Sequence, residues 1–587
     1  MTRRHTLRTL LVLAWRTDRR AALILAAFLT LGAVSQSLAG LFLRELTDTA
    51  TAGQATTAVL WGLAAGSALA AGVALGRAEL ALMQELAERM GLAVQQEILT
   101  LTAGVPTIEH LERPAYLDKL QMLRQESWQL YFAVWAIALV VEHSAQIALG
   151  VALMAAVHPL LPLVLGGAVL PSLLVRGRAA RHLDAATENT AETTRLEQVL
   201  TESATSAETT KEVRLSRAAP VLDTMAARHW QETSTELSQA RIRAALLTFT
   251  GAAVFLAGYV AALGYTAWLA HQRQATAGDL VLVATVGVQF VTQASRLAFH
   301  LGSVAAGLRA ADRLAWLRAY ARTHAPAPTT TTAEPPQRLA RGITLHQVSF
   351  AYPGTDRPVL HDLDLHLSAA TTVALVGSHG SGKTTLAKLL CGLYRPTAGY
   401  ILLDDVPLHA LASERWRRRI SAVFQDLARF ELTAAETVGV GDLPRLHDPM
   451  AMDAALRLAG GTELVAGLPS GPATQLGDTF ERGVKLSGGQ WQKLALARAS
   501  MRDAPLLLVL DEPTASLDAP AEAATFARYA EVLITHRFPT VRMADVIVVL
   551  EAGRIVQHGS HDDLIARPGP YAELYAIQQA AFTDRAG

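Results

Sequence analysis

The chain has 587 residues, 51% of them hydrophobic, with a formal net charge of zero and a positive mean hydropathy. That length is too great for one ordinary domain, and the apolar fraction exceeds what a soluble globule usually carries. The single cysteine, Cys391, excludes any disulfide within the chain and suits a reducing compartment.

Residues 1–20 carry Arg3, Arg4, Arg8, Arg16, Arg19 and Arg20 and no lysine. Under the positive-inside rule this cluster is expected on the cytoplasmic side. Leu7, Leu10, Leu11 and Trp15 are spaced to form one apolar face, so the segment is expected to be an amphipathic elbow on the inner leaflet. Six apolar runs follow, near Ala21–Leu43, Ala55–Gly76, Ala133–Ala156, Pro159–Val175, Ala244–Ala270 and Leu280–His300. Each approaches or reaches the roughly 20 residues that a bilayer helix needs. The uncharged first run is longer than the apolar part of a cleavable signal peptide, and no peptidase-like segment is seen ahead of it. The third and fourth runs are expected to form a hairpin broken at His158-Pro159, since about 40 residues is far too long for one crossing. Arg44–Gln54, Val157–His158 and His271–Asp279 are short connections, whereas Arg77–Phe132 and Arg176–Arg243 are long and charged. Long helices are therefore expected to extend into the cytoplasm, with both termini on that side of the cell membrane.

In the sixth run Gln289, Gln293, Arg296 and His300 recur at i, i+4, i+7 and i+11, one polar face of a helix. Facing lipid, Arg296 would be costly, so the stripe is expected toward a central cavity or a partner subunit. Counted from the outer helix ends, Arg296 and Glu142 of the third run lie at similar depths, roughly 24 and 21 Å. Their opposite charges permit a pair, and these five residues form the expected substrate cavity. The alternative for Arg296 is to snorkel to the inner headgroups.

Thr323–Gln337, THAPAPTTTTAEPPQ, has no apolar periodicity and reads as a semi-extended linker. The expected organisation is a 1–20 elbow, a 21–322 membrane domain, a 323–337 linker and a 338–587 domain. After the linker the pattern becomes α/β. An apolar strand, Val373–Val376, runs into Gly377-Ser378-His379-Gly380-Ser381-Gly382-Lys383-Thr384 and then Thr385 and a helix. This satisfies the phosphate-loop pattern: glycines let backbone N–H groups turn toward phosphates, Lys383 neutralises the β/γ oxygens, and the Thr384 hydroxyl suits Mg²⁺. A second apolar strand, Leu506–Leu510, ends in Asp511 and Glu512. The first carboxylate suits the Mg²⁺ shell and the second is placed to orient or deprotonate an attacking water.

With LSGGQ at Leu486–Gln490 between the loop and the acidic pair, the chain resembles a half-transporter of the ATP-binding cassette (ABC) exporter family. The resemblance implies an all-α six-helix membrane domain followed by an α/β P-loop NTPase domain of ABC type, ATP and Mg²⁺ as cofactors, and a dimer with a second half-transporter, identical or different. By the same resemblance Tyr352 stacks on adenine and Gln425 touches Mg²⁺ and water. Ser487, Gly488, Gly489 and Gln490 meet the opposite subunit's ATP, Asp518 lies in a dimer-contact loop, and His536 is the switch histidine. Ile108–Leu117 and Lys211–Arg214 resemble the two coupling helices. One departure is the 13-residue connection Ala519–Glu531, shorter than the family's and near the minimum for a βαβ crossover. It places the reach of His536 in doubt, and a truncated helix is the expected cause rather than a lost strand. The expected activity is ATP-driven export of an amphipathic drug, lipid or peptide, in contact with membrane lipid and with no nucleic acid. The alternatives are a non-transporting ATP-gated regulator or an importer on the same fold.

Overall fold

The computed structural model describes residues 18–206, 209–325, 334–511, 531–534 and 541–583. Two compact units are formed, one from 18–99 with 122–316 and the other from Thr100–Gln121 with 317–583.

The first unit is all helix. Its long elements are α1 (Arg19–Thr51), α2 (Ala55–Ala103), α3 (Pro114–Val157), α4 (Leu160–Asn189) and α5 (Ala191–Thr205), then α6 (Thr210–Leu215), α7 (Ala219–His271) and α8 (Ala277–His324). Six of these, α1 to α4 with α7 and α8, are long and apolar enough to cross a membrane among the described residues. At 49 and 53 residues, α2 and α7 run roughly 74 and 80 Å, more than twice a bilayer's hydrocarbon core. The break expected at His158-Pro159 separates α3 from α4. Asp18 caps α1, accepting from the Arg20 and Ala21 N–H groups at 3.0 Å.

Small residues let these helices approach closely, as packing without a hydrophobic driving force requires. A Cβ on Gly258 of α7 would stand 2.4 Å from that of Ala168 in α4, and the Ser35 hydroxyl of α1 donates to the Ala68 carbonyl of α2 at 2.6 Å. At the far end of α1, Asp48 accepts from the Gly278 N–H and the Thr276 hydroxyl, each at 2.8 Å. Arg44 pairs there with the buried Asp279 at 2.8 Å.

The second unit carries two sheets. An antiparallel sheet has β1 (Gly342–Phe350), β2 (Leu360–Ser368), β4 (Ala398–Leu403) and β5 (Val406–Pro407) in the order β2-β1-β4-β5. The other contains β3 (Thr372–Val376), β6 (Ile420–Val423), β7 (Leu507–Asp511), β8 (Glu531–Ile534), β9 (Val546–Glu551) and β10 (Arg554–Gly559), ordered β10-β9-β3-β8-β7-β6. Its pairs are parallel except at the β10 edge. β3 and β7 are buried at every position, which is why they read as unbroken apolar runs rather than alternating ones. β8 pairs in parallel with both β3 and β7, so the strand after the short connection is retained. The connection itself lies outside the described residues.

Two boundaries differ from the sequence expectation. Helix α8 continues to His324, two residues into the expected linker. Thr100–Gln121, expected within the membrane domain, groups with the C-terminal unit. Its cause is direct bonding: the Ile108 N–H donates to the Leu393 carbonyl at 3.1 Å, and Arg417 donates to the Pro106 carbonyl at 2.6 Å. Ile108 also packs on the core that holds β1, β3 and Trp416.

Candidate nucleotide site

The loop after β3 emerges where β3 and β8 end side by side, and it delivers α9 (Lys383–Leu390). Only glycine suits two of its positions. Gly382 has φ +102°, where a Cβ would lie 2.5 Å from Leu360 Cδ2, and at Gly377 a Cβ would lie 2.1 Å from the Leu550 carbonyl oxygen. Ser378 closes the turn by accepting the Ser381 N–H on its carbonyl.

A cavity of about 300 Å³ opens over this loop, lined among others by Tyr352, Gly380, Lys383, Thr384, Gln425 and Asp511. Ser381, Gly382 and Thr385 complete the loop side, with His379 at the rim and Val359 and Ile534 on the flanks. Lys383 is 7% exposed, and its ammonium donates to the Gly377 and Ser378 carbonyls at 2.9 Å and to Ser381 Oγ at 3.3 Å. The cation is thereby held against the loop at the wall of the cavity. Thr384 Oγ1 donates to Asp511 Oδ2 at 2.7 Å, joining the start of α9 to the end of β7. A hydroxyl, a buried carboxylate and the Gln425 side chain on one cavity wall form a set of hard oxygen donors of the kind Mg²⁺ takes.

Tyr352 also lines the cavity. Its hydroxyl bonds Thr385 Oγ1 at 2.9 Å, and its ring stands edge to face against Phe350 at 5.1 Å and Tyr394 at 5.5 Å. Sequence reasoning missed Tyr394, because one aromatic after an amphipathic helix carries no local signal. Burial, and then the Glu112 carboxylate, push its phenol well above the ordinary value. Tyr394 thus packs against Tyr352 and lies within electrostatic reach of Glu112 in the docked segment. Burial alone pushes the Cys391 thiol up to about 12, so this cysteine stays a neutral thiol.

Ser487, Gly488, Gly489 and Gln490 stand elsewhere. They open α10 (Gly488–Ala499), where the Gln490 N–H donates to Ser487 Oγ at 3.3 Å and the Ser487 N–H donates to Gln490 Oε1 at 2.8 Å. This reciprocal cap holds the turn, while Ser487 and both glycines remain exposed. Among the described residues, none of these four lines the nucleotide cavity. Glu512, Asp518 and His536 lie outside the described residues.

The expected polar stripe lies in the first unit. Gln289 and Gln293 line a small cavity with Gln36 and Gln146, and Gln293, 5% exposed, donates to Gln36 Oε1 at 3.3 Å. His300 stacks on the buried His143 at 5.4 Å. The expected Glu142–Arg296 ion pair is not among the salt bridges of the described residues: Glu142 Oε1 accepts from Gln146 Nε2, one turn along its own helix, at 3.0 Å. Arg296 is exposed, its charge within electrostatic reach of Glu142 and Glu79. Residues 360–515 match the ABC transporter family. A stretch of 355 residues, 59% of the chain, is 36% identical to an ATP-dependent lipid A-core flippase of Chromobacterium violaceum. Another of 255 residues, 42% of the chain, is 43% identical to the protein of that description in Cupriavidus metallidurans. These stretches span 59% and 42% of the relatives' own lengths. A solved structure of a bacterial Atm1-family ABC exporter with ATP bound superimposes with a TM-score of 0.75 at 25% identity, over 95% of this chain and 98% of that one.

Proposed function

We propose that the chain, with six candidate spans ahead of one domain that matches the ABC transporter family, is an ABC exporter half-transporter that hydrolyses ATP as a dimer and uses that cycle to export an amphipathic compound. The observation that carries this reading is the division of the site. Lys383, Thr384 and Asp511 line one cavity, while Ser487, Gly488 and Gly489 sit exposed outside it. A signature turn that lies outside the described lining of its own subunit's cavity is explained if it closes over the ATP of a second one, identical or different.

In this reading Tyr352 stacks on adenine, the 377–385 loop wraps the phosphates, and the N-terminus of the signature helix supplies N–H donors to the partner's γ-phosphate. Thr384, Asp511 and Gln425 would hold Mg²⁺, which when bound neutralises phosphate charge. Glu512 takes a proton from water as the water oxygen bonds to the γ-phosphorus and the β–γ bridge breaks, giving ADP and phosphate. His536 steadies the γ-phosphate. Thr100–Gln121, already bonded to the ATP-binding unit, passes the change to the helices.

Lipid A-core flippases among the relatives support a lipid-like cargo, and the arginine-rich N-terminus supports a cell-membrane orientation with the ATP-binding domain in the cytoplasm. The test is Glu512→Gln. It should bind ATP as the parent does and lose most turnover, and it should abolish ATP-dependent uptake of labelled amphiphiles into inverted vesicles. A mutant that hydrolyses and transports at the parental rate would sink the assignment.

A further inference from the structure

The small pocket that Gln289 and Gln293 of α8 share with Gln36 of α1 and Gln146 of α3 lies among apolar spans. All four glutamines fall within the runs expected to cross the membrane, where a polar side chain is costly unless it finds a partner. The pocket's volume is about 20 Å³, room for one water-sized group and not for two. Ser37 is the fifth polar residue of the lining. The rest are Gly150 and apolar residues, Phe290 among them, and no charged side chain lines the pocket among the described residues.

The hydrogen bonds of these side chains engage the donors and leave acceptors over. Gln146 Nε2 donates to Glu142 Oε1 at 3.0 Å, and Gln293 Nε2 donates to Gln36 Oε1 at 3.3 Å. The Ser37 hydroxyl donates to the Ala33 carbonyl at 3.0 Å. The Oε1 atoms of Gln146 and Gln293 are both buried, and neither accepts a hydrogen bond from the protein. Gln293 as a whole is 5% exposed. His143, buried on the turn before Gln146, supplies neither oxygen, and its own ring nitrogens also lack partners. A buried amide oxygen without a donor is costly. Here two of them, one on α3 and one on α8, border a space the size of a single donor. An O–H group suits that space: it fits, it brings no charge into an apolar span, and a water has one hydrogen for each oxygen.

We propose that this pocket binds one O–H group, held between Gln146 of α3 and Gln293 of α8, that comes from water or from the hydroxyl of an amphiphile lodged between the helices. The site requires no ATP turnover and so stands independently of the export reading.

The full-length protein is reconstituted in lipid nanodiscs and exposed to brief X-ray pulses, which split water into hydroxyl radicals that oxidise the nearest side chains. Products are mapped by peptide mass spectrometry. Phe290 lines the pocket and Phe255 of α7 does not, yet they are 8% and 9% exposed within one apolar cluster, so radicals from bulk water reach them alike. Phe290 should be oxidised at least about fivefold faster than Phe255, because a held water makes radicals in place. Gln146→Leu should lower the Phe290 rate, and Gln146→Leu combined with Gln293→Leu should bring it to that of Phe255, whose own unchanged rate reports that the helices still pack. Decanol and decyl methyl ether, added in equal amounts, separate the two sources. A fall in Phe290 oxidation with decanol alone assigns the site to an amphiphile's hydroxyl in competition with water, and no fall with either assigns it to water. An equal fall with both overturns the proposal, since the space would then take hydrocarbon without regard to a donor. So does a Phe290 rate no faster than that of Phe255 in the parent, or an undiminished Phe290 rate in a double variant that keeps the parental Phe255 rate.

Discussion

Arg417→Ala tests how the ATP-binding unit grips Thr100–Gln121. The half-buried guanidinium donates to the Pro106 carbonyl at 2.6 Å and, less closely, to Ser413 of its own short helix at 3.3 Å. A hydrogen bond from a charged donor contributes about 1.5–3 kcal/mol. Partial exposure argues for the low end, which corresponds to about a tenfold shift in a docking equilibrium. The remaining anchors, the bond from the Ile108 N–H to Leu393 and the packing of Ile108 on the core, should hold the segment in place most of the time. Hydrogen exchange read by mass spectrometry should therefore show the Ile108 amide exchanging about tenfold faster, while amides of β3 and β7 are unchanged. Basal ATP hydrolysis should persist and its stimulation by transported amphiphile should fall. Arg417→Lys, which keeps the charge but loses the planar fork, should lie between. Unchanged exchange at Ile108 in Arg417→Ala would refute the reasoning, because the bond would then contribute nothing to docking.

Gly382→Ala should cost about 1–3 kcal/mol through backbone strain at its positive φ, compounded by the approach to Leu360; thermal unfolding with and without ATP should show a lower midpoint and a smaller gain on adding nucleotide. His110 is 2% exposed, and burial lowers it below its ordinary 6.5, opposed by the nearby Thr102 and Thr107 backbone and reinforced by His324. A histidine held neutral in the fold contributes stability that is present above pH 6.5 and lost as pH falls below it. Melting midpoints of the parent should drop over that acidic range, and His110→Phe should flatten the drop. Mixing Lys383→Ala chains with Ser487→Arg chains should give hydrolysis above either parent, because one composite site in the mixed dimer carries neither lesion; activity no higher than either alone would count against a signature that serves the opposite subunit.

Much of the ATP-binding unit was legible because its chemistry is local. A phosphate loop needs glycines and a lysine at fixed spacing just after a buried strand, and β3 with α9 follows directly from Val373–Lys383. The short apolar run before His536 likewise became β8, since the parallel sheet needs a strand between β3 and β7 whatever the length of the connection. The six apolar runs fall within six long helices for an equally local reason: a backbone in lipid must bond to itself.

Other features depended on contacts between residues far apart in the chain. Depth counted along two helices put Glu142 and Arg296 at one level, but a carboxylate bonds whichever donor its own rotamer reaches, here Gln146 one turn away. The boundary between units fell inside what reads as membrane-domain loop, because Pro106 and Ile108 find partners in Arg417 and Leu393, about three hundred residues on. Tyr394 packs against Tyr352 within electrostatic reach of Glu112, and the glutamine-lined pocket lies where side chains of α1, α3 and α8 come together. Spacing along a chain fixes which groups share a strand end or a helix face. Which groups from distant segments then meet, and where the packing leaves room, is decided only when the helices and sheets close on one another.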